Sequence, residues 1–139
     1  IYRIVGRRVM KLRVLTLLTA ALFGALGAAL RVFTENDLLS DFSSEAALIL
    51  INVVGSACLG AITVYCEERP ASCLNFLLNK GVGTGLLGSF TTFSALSLLC
   101  LNHDFVSGTC YMALSITLGA AAALAAMRLS KRLLQNTYH

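Results

Sequence analysis

The stretch Gly81-Val82-Gly83-Thr84-Gly85-Leu86-Leu87-Gly88-Ser89-Phe90-Thr91-Thr92-Phe93-Ser94-Ala95-Leu96-Ser97-Leu98-Leu99-Cys100-Leu101 contains no charged residue. A helix needs about 20 mostly apolar residues to cross the hydrocarbon of a bilayer, and this run has that length. Comparable runs cover residues 15–33 and 46–66 before it and 105–127 after it. The chain is 57% apolar and 13% charged, against roughly 45–50% and about 25% for an ordinary globular domain. With one proline, eleven glycines and a mean hydropathy of +0.77, the solvent this composition fits is lipid. The 139 residues predict one four-helix transmembrane domain over 1–139, with no separate catalytic domain. A soluble enzyme is excluded, and the expected function is not enzymatic.

Residues 102–104 leave only a tight turn between the last two spans, which predicts an antiparallel hairpin. The longer connections are 34–45, rich in acids, and 67–80, which holds Pro70. A basic stretch (Arg7, Arg8, Lys11, Arg13) followed by an apolar core is also the pattern of a secretory signal. Here, however, the run continues through Arg31 to Val32 and Phe33, so the first segment reads as a span. The five cysteines (Cys58, Cys66, Cys73, Cys100, Cys110) form no CxxC pair; four of them sit within or at the ends of apolar runs, where cysteine behaves as a small hydrophobe. The net charge of +4 lies between apolar runs, as juxtamembrane charges do, so no nucleic-acid partner is expected.

Lys and Arg counts set orientation. Four spans put both termini and the middle loop on one side, with Arg3, Arg7, Arg8, Lys11, Arg13, Arg69, Lys80, Arg128, Lys131 and Arg132. Opposite them stand Arg31 and the acids Glu35, Asp37, Asp41, Glu45 and Asp104. The termini are therefore expected in the cytoplasm of a multi-pass protein of the cell membrane. Taking Met10 as the start leaves the same bias.

Polar groups inside a bilayer are costly and mark function. No Asp, Glu, Lys or His falls inside the four runs, which leaves no acid for proton-coupled export; Arg31, near the end of the first, can snorkel. Asn52 in the second run has two readings: helix glue, or two N–H donors offered to an anion. In the third run, Gly88-Ser89-Phe90-Thr91-Thr92-Phe93-Ser94 gathers a helix-weakening glycine with hydroxyl residues that bend helices. One reading is a kinked packing helix. The other is a helix broken mid-membrane, whose freed carbonyls need a wet or protein-lined site and can bind a bare cation. A phenylalanine ring edge there can face an anion. Tyr111, Ser115 and Gly119 follow at intervals of four on the last span.

Gly24-Ala25-Leu26-Gly27-Ala28-Ala29-Leu30-Arg31, then Asn52-Val53-Val54-Gly55-Ser56, then Gly88-Ser89-Phe90-Thr91-Thr92-Phe93-Ser94 occur in this order. Together they resemble the Fluc (CrcB) family of fluoride ion channels, over all four spans. The resemblance implies an all-α membrane protein whose third helix is broken, assembled as an antiparallel dimer with two fluoride pathways at its interface. It implies that Asn52, Phe93, Ser94, Tyr111 and Ser115 line the pathway and that Arg31 is structural. It also implies a structural, untransported Na+ on the backbone carbonyls of Gly88 and Thr91. The chain departs from the family pattern twice: Leu96 stands where a second phenylalanine is usual, and Gly119 where a hydroxyl is usual. The charge bias and Leu96 together point to pairing with a paralogous subunit of opposite topology, with a homodimer as the alternative. The competing functions are a small-multidrug-exporter-like transporter, which needs a first-span carboxylate absent here, and a non-conducting helper subunit, which leaves the third-span motif without a purpose.

Overall fold

The computed structural model describes residues 2–70, 72–102 and 104–137, with side chains over 10–70, 72–98, 100–102 and 104–136. The side chains of Arg3, Arg7 and Arg8 in the orientation count lie outside the described residues. The first helix, α1, is Tyr2–Phe33 and continues in wider turns through Thr34–Leu38. Arg31 sits in its last turn and donates to Glu35 Oε2 at 3.4 Å, an i,i+4 ion pair at the helix end. Such a partly exposed pair contributes at most about 1 kcal/mol.

Helix α2 is Ser44–Glu67. Its N-terminus is set by Ser43, whose hydroxyl accepts the Ala46 N–H at 3.3 Å, satisfying one of the orphan donors of a first turn. The next helical run begins at Cys73, eight positions before the start expected from hydropathy. Two side chains account for this. The Ser72 hydroxyl accepts the Asn75 N–H at 3.1 Å, and Asn75 Nδ2 reaches back to the carbonyls of Cys66 (2.9 Å) and Arg69 (3.2 Å). One asparagine thus joins the carbonyl end of α2 to the first turn of its successor, and the connection of 67–80 contracts to a short turn.

This third run, α3 (73–90), comprises Cys73–Phe76, the wider-turned Leu77–Leu87 and a last turn Gly88–Phe90. After Thr91 and Thr92 comes α4, Phe93–Asn102, and then α5, Phe105–Thr137. Asp104 opens α5 by accepting the Ser107 N–H at 3.2 Å. Among the described residues four segments are long and apolar enough to cross a membrane: Met10–Leu38, Ser44–Glu67, Cys73–Asn102 and Phe105–Asn136. The sequence expectation of an all-helical chain with four spans therefore holds, although every run is longer than its apolar core suggested.

Helix α2 is the central element. It packs along α5 on one side and α3 on the other, while α1 lies against α3 and α4 against α5. In its most apolar stretch 33% of the residues are buried, against 6% in that of the segment Met10–Leu38. The helices approach through small residues, as membrane helices do. A Cβ on Gly27 would strike the backbone of Leu86, and one on Gly60 would lie 2.5 Å from the Ala123 carbonyl oxygen. The outer faces of α1 and α5 show Leu17, Leu22 and Phe105 at 70%, 68% and 87% exposure. That apolar surface suits lipid, not water. All five cysteines are free thiols.

Candidate functional site

The path from α3 to α4 turns on Asn52. Thr91 leaves the helix with φ −74° and ψ 141°, extended backbone, while its N–H (3.0 Å) and hydroxyl (2.9 Å) still reach the Leu87 carbonyl. A continuous helix would aim the next donor, Thr92 N–H, at the carbonyl of Gly88. Instead it donates to Asn52 Oδ1 at 2.9 Å. Asn52 Nδ2 donates to Ser115 Oγ at 3.0 Å and, over a longer 3.4 Å, to the Thr92 carbonyl. The Thr92 hydroxyl then accepts the Ala95 N–H at 3.2 Å and restarts the helix as an N-cap. Gly55, one turn after Asn52 on α2, makes the approach possible, because a Cβ there would collide with the Thr91 methyl.

These groups surround a cleft of about 200 Å³ between α2, the Thr91–Thr92 link and α5. Asn52 and Ser56 come from α2, Thr91, Thr92, Phe93 and Leu96 from the third span, and Ser115 and Gly119 from α5. Among the described residues no charged side chain lines it. Its polar character comes from hydroxyls and one amide, groups that can donate to an anion without fixing a counter-charge.

The structure brings Asn52, Phe93 and Ser115 together in this cleft. Ser94 stands beside it, its hydroxyl hydrogen-bonded to that of Thr92 at 3.1 Å. Tyr111 precedes Ser115 by one turn and lies outside the lining. Phe93 is 63% exposed on the isolated chain, and Gly88 is exposed as well. Leu96 is 1% exposed and packs with Leu48, Ala95 and Met112, so its side chain belongs to the core of the subunit. Thr92 and Ser56 were missed as site residues by sequence reasoning. Thr92 holds Asn52 through its backbone groups, which no side-chain pattern displays; Ser56 stood in the Asn52–Ser56 motif, one turn after Asn52, without a role of its own.

Among the described residues no three His, Cys, Asp or Glu side chains come together as a metal site. The oxygens at the interruption are carbonyls and hydroxyls, the donor class of a hard cation. With Thr92 N–H diverted to Asn52, the Gly88 carbonyl loses its helical i+4 donor, and this is the feature of the chain that fits such an ion.

Residues 18–127 match the family model described as "CrcB-like protein, Camphor Resistance (CrcB)". The chain is 36% identical over 119 residues to "Fluoride-specific ion channel FluC 2" of Ligilactobacillus salivarius, covering 85% of this chain and 87% of that protein. It is 34% identical over 116 residues to "Fluoride-specific ion channel FluC" of Idiomarina loihiensis, covering 78% and 87%. A third relative, "Fluoride-specific ion channel FluC 2" of Listeria innocua, is 31% identical over 126 residues, covering 88% and 95%. No solved structure matches the chain significantly.

The hydrogen bonds around Asn52 predict that Asn52→Leu, of similar size, destabilises the subunit by about 1–3 kcal/mol, the cost of leaving the Thr92 N–H without a partner. Thermal unfolding in detergent checks this. A midpoint equal to that of the unmodified chain would mean that Asn52 does not hold the link.

Proposed function

The chain belongs to the CrcB family, and from that membership we propose that it forms a fluoride-selective channel, through which fluoride leaves the cell passively. The observation that carries the proposal is the uncharged cleft at Asn52, Phe93 and Ser115. Fluoride is small and strongly hydrated, so a passage must replace its water with donors at successive points. Amide and hydroxyl groups do this, and the positive edge of a phenylalanine ring adds to them. Fixed cations would bind the ion too tightly to release it, since conduction requires sites weak enough to leave. The interruption at Thr91–Thr92 lies at mid-membrane in this reading. Ser94 and Tyr111 extend the pathway on either side of the cleft. No bond is made or broken; an open anion leak lowers cytoplasmic fluoride by letting it run down its gradient.

The working unit in this reading is an antiparallel dimer. The exposure of Phe93 and Gly88 on the isolated chain supports it, because a ring meant to face an ion needs a second wall. The carbonyls of Gly88 and Thr91, with those of the opposing subunit, would hold a structural sodium ion that is not transported. The termini are cytoplasmic in the cell membrane, following the bias of basic residues to their side. That bias opposes insertion of one sequence both ways, so the favoured partner is a related chain of opposite orientation and the alternative is a second copy of this chain.

Liposomes containing the purified assembly and loaded with both anions are expected to release fluoride and retain chloride. Equal release of both, or release of neither, would overturn the channel reading. Orientation is read separately, by labelling an engineered cysteine at the exposed Gln135 in intact cells, on a background without the native cysteines. Labelling from the cytoplasmic face alone is expected. Near-equal labelling from both faces would mean dual insertion and remove the need for a second subunit.

A further inference from the structure

Helices α2 and α5 run side by side in a fixed register: Asn52 is bonded to Ser115, Ser56 abuts Gly119, and Gly60 abuts Ala123. Each rung lies one helical turn beyond the last. The first rung carries two polar side chains and the third is tightly closed. The second is asymmetric, with a hydroxyl on α2 facing a glycine on α5, and both line the cleft.

A Cβ built on Gly119 would stand 3.2 Å from Ser56 Oγ and 3.8 Å from Ser56 Cβ. The first distance is tight and the second ordinary, so the crossing accommodates one hydroxyl comfortably but not two. That hydroxyl is also unoccupied. Thr63, further along the same helix, bonds back to the Leu59 carbonyl at 2.8 Å, as helical hydroxyls commonly do. Ser56 has no hydrogen-bond partner among the described residues, although it is half-buried within a polar cleft.

We infer that Ser56 is a permeation-path residue, donating its hydroxyl proton to the passing anion at the level where α5 offers only Gly119. The inference rests on the fluoride-channel reading and assigns one further donor to that path, supplied by α2. The ion leaving the Asn52–Ser115 rung meets the Ser56 hydroxyl one turn on, and the glycine opposite keeps the bore open for it. Exchanging which helix carries the hydroxyl should therefore preserve the function, whereas deleting it should not.

Three chains reconstituted at equal protein density test this by fluoride efflux: the unmodified chain, Ser56→Ala, and Ser56→Ala with Gly119→Ser. Ser56→Ala is expected to slow efflux about tenfold, the scale of one lost hydrogen bond to a charged species. The double variant is expected to recover to within about threefold of the unmodified chain, since removing the Ser56 oxygen makes room for the Gly119→Ser side chain. A fourth chain, Ser56→Ala with Gly119→Ala, restores bulk at the crossing without a hydroxyl and is expected to stay as slow as Ser56→Ala; its recovery would mean a packing role and overturn the inference. Should Ser56→Ala not assemble, Ser56→Cys replaces it, because a thiol keeps the shape but donates weakly, and the same slowing is expected. Efflux from either single variant at the unmodified rate, or a double variant as slow as Ser56→Ala, would overturn the inference and leave the channel reading standing. An unmodified assembly that passes no fluoride would remove the channel reading and this inference with it.

Discussion

One backbone N–H group governs the shape of this subunit. Thr92 can satisfy it in two ways, by the Gly88 carbonyl, which continues the helix, or by an acceptor from outside. Asn52 Oδ1 provides the outside acceptor at 2.9 Å. A buried amide hydrogen must be paired somewhere, so the choice of acceptor decides whether the third span is continuous or divided. Much of the neighbourhood follows from that choice. Gly55 lacks a side chain where Thr91 comes in, the Thr92 hydroxyl caps the helix that restarts, and Ser115 accepts one of the two side-chain amide protons of Asn52. The cleft is the space left between these groups, and its uncharged polarity follows from their chemistry.

The same arrangement accounts for the incompleteness of the isolated chain. Core residues are few and lie chiefly on α2 and along the third span, with Ile51, Val64 and Leu96 the largest fully buried side chains. On the far side of the interruption, Phe93 and Gly88 remain exposed. A lipid-facing leucine at such exposure is ordinary for a membrane helix; a break in the helical ladder opening toward lipid is not, because unpaired backbone groups there would go unsatisfied. The proposed dimer covers that face with protein. Leu96, the departure from the family's aromatic pattern, packs inside the subunit against Leu48 and Met112, and in the proposed channel Phe93 carries the ring contribution on this side.

Much of the fold was legible in the sequence because lipid imposes a coarse rule, and runs of about 20 apolar residues announce themselves. The early start of α3 at Cys73 was hidden, since Ser72 and Asn75 read as loop residues until their hydrogen bonds to neighbouring backbone are seen. At the site, Asn52, Phe93 and Ser115 were recognisable as unusual side chains in apolar runs. The pairing of Asn52 with Thr92 was not, because it joins a side chain to a peptide group forty positions away, and peptide groups are the same at every position. The sequence reading left Asn52 between helix glue and anion donor. The structure gives it the bonds of the first role at the edge of the cleft that the second requires. Ser56 drew no role of its own from the sequence for a related reason: its significance depends on having Gly119 opposite, which only the register of α2 against α5 reveals.

Nuclear magnetic resonance can observe the governing hydrogen bond directly, through the scalar coupling that a hydrogen bond transmits. In the assembly labelled with nitrogen-15 threonine, carbon-13 glycine carbonyl and carbon-13 asparagine side chain, the amide nitrogen of Thr92 is expected to couple to the side-chain carbonyl carbon of Asn52. Coupling to the backbone carbonyl of Gly88 instead would mean that the helix runs on without interruption, and the account of the cleft built on that joint would be wrong.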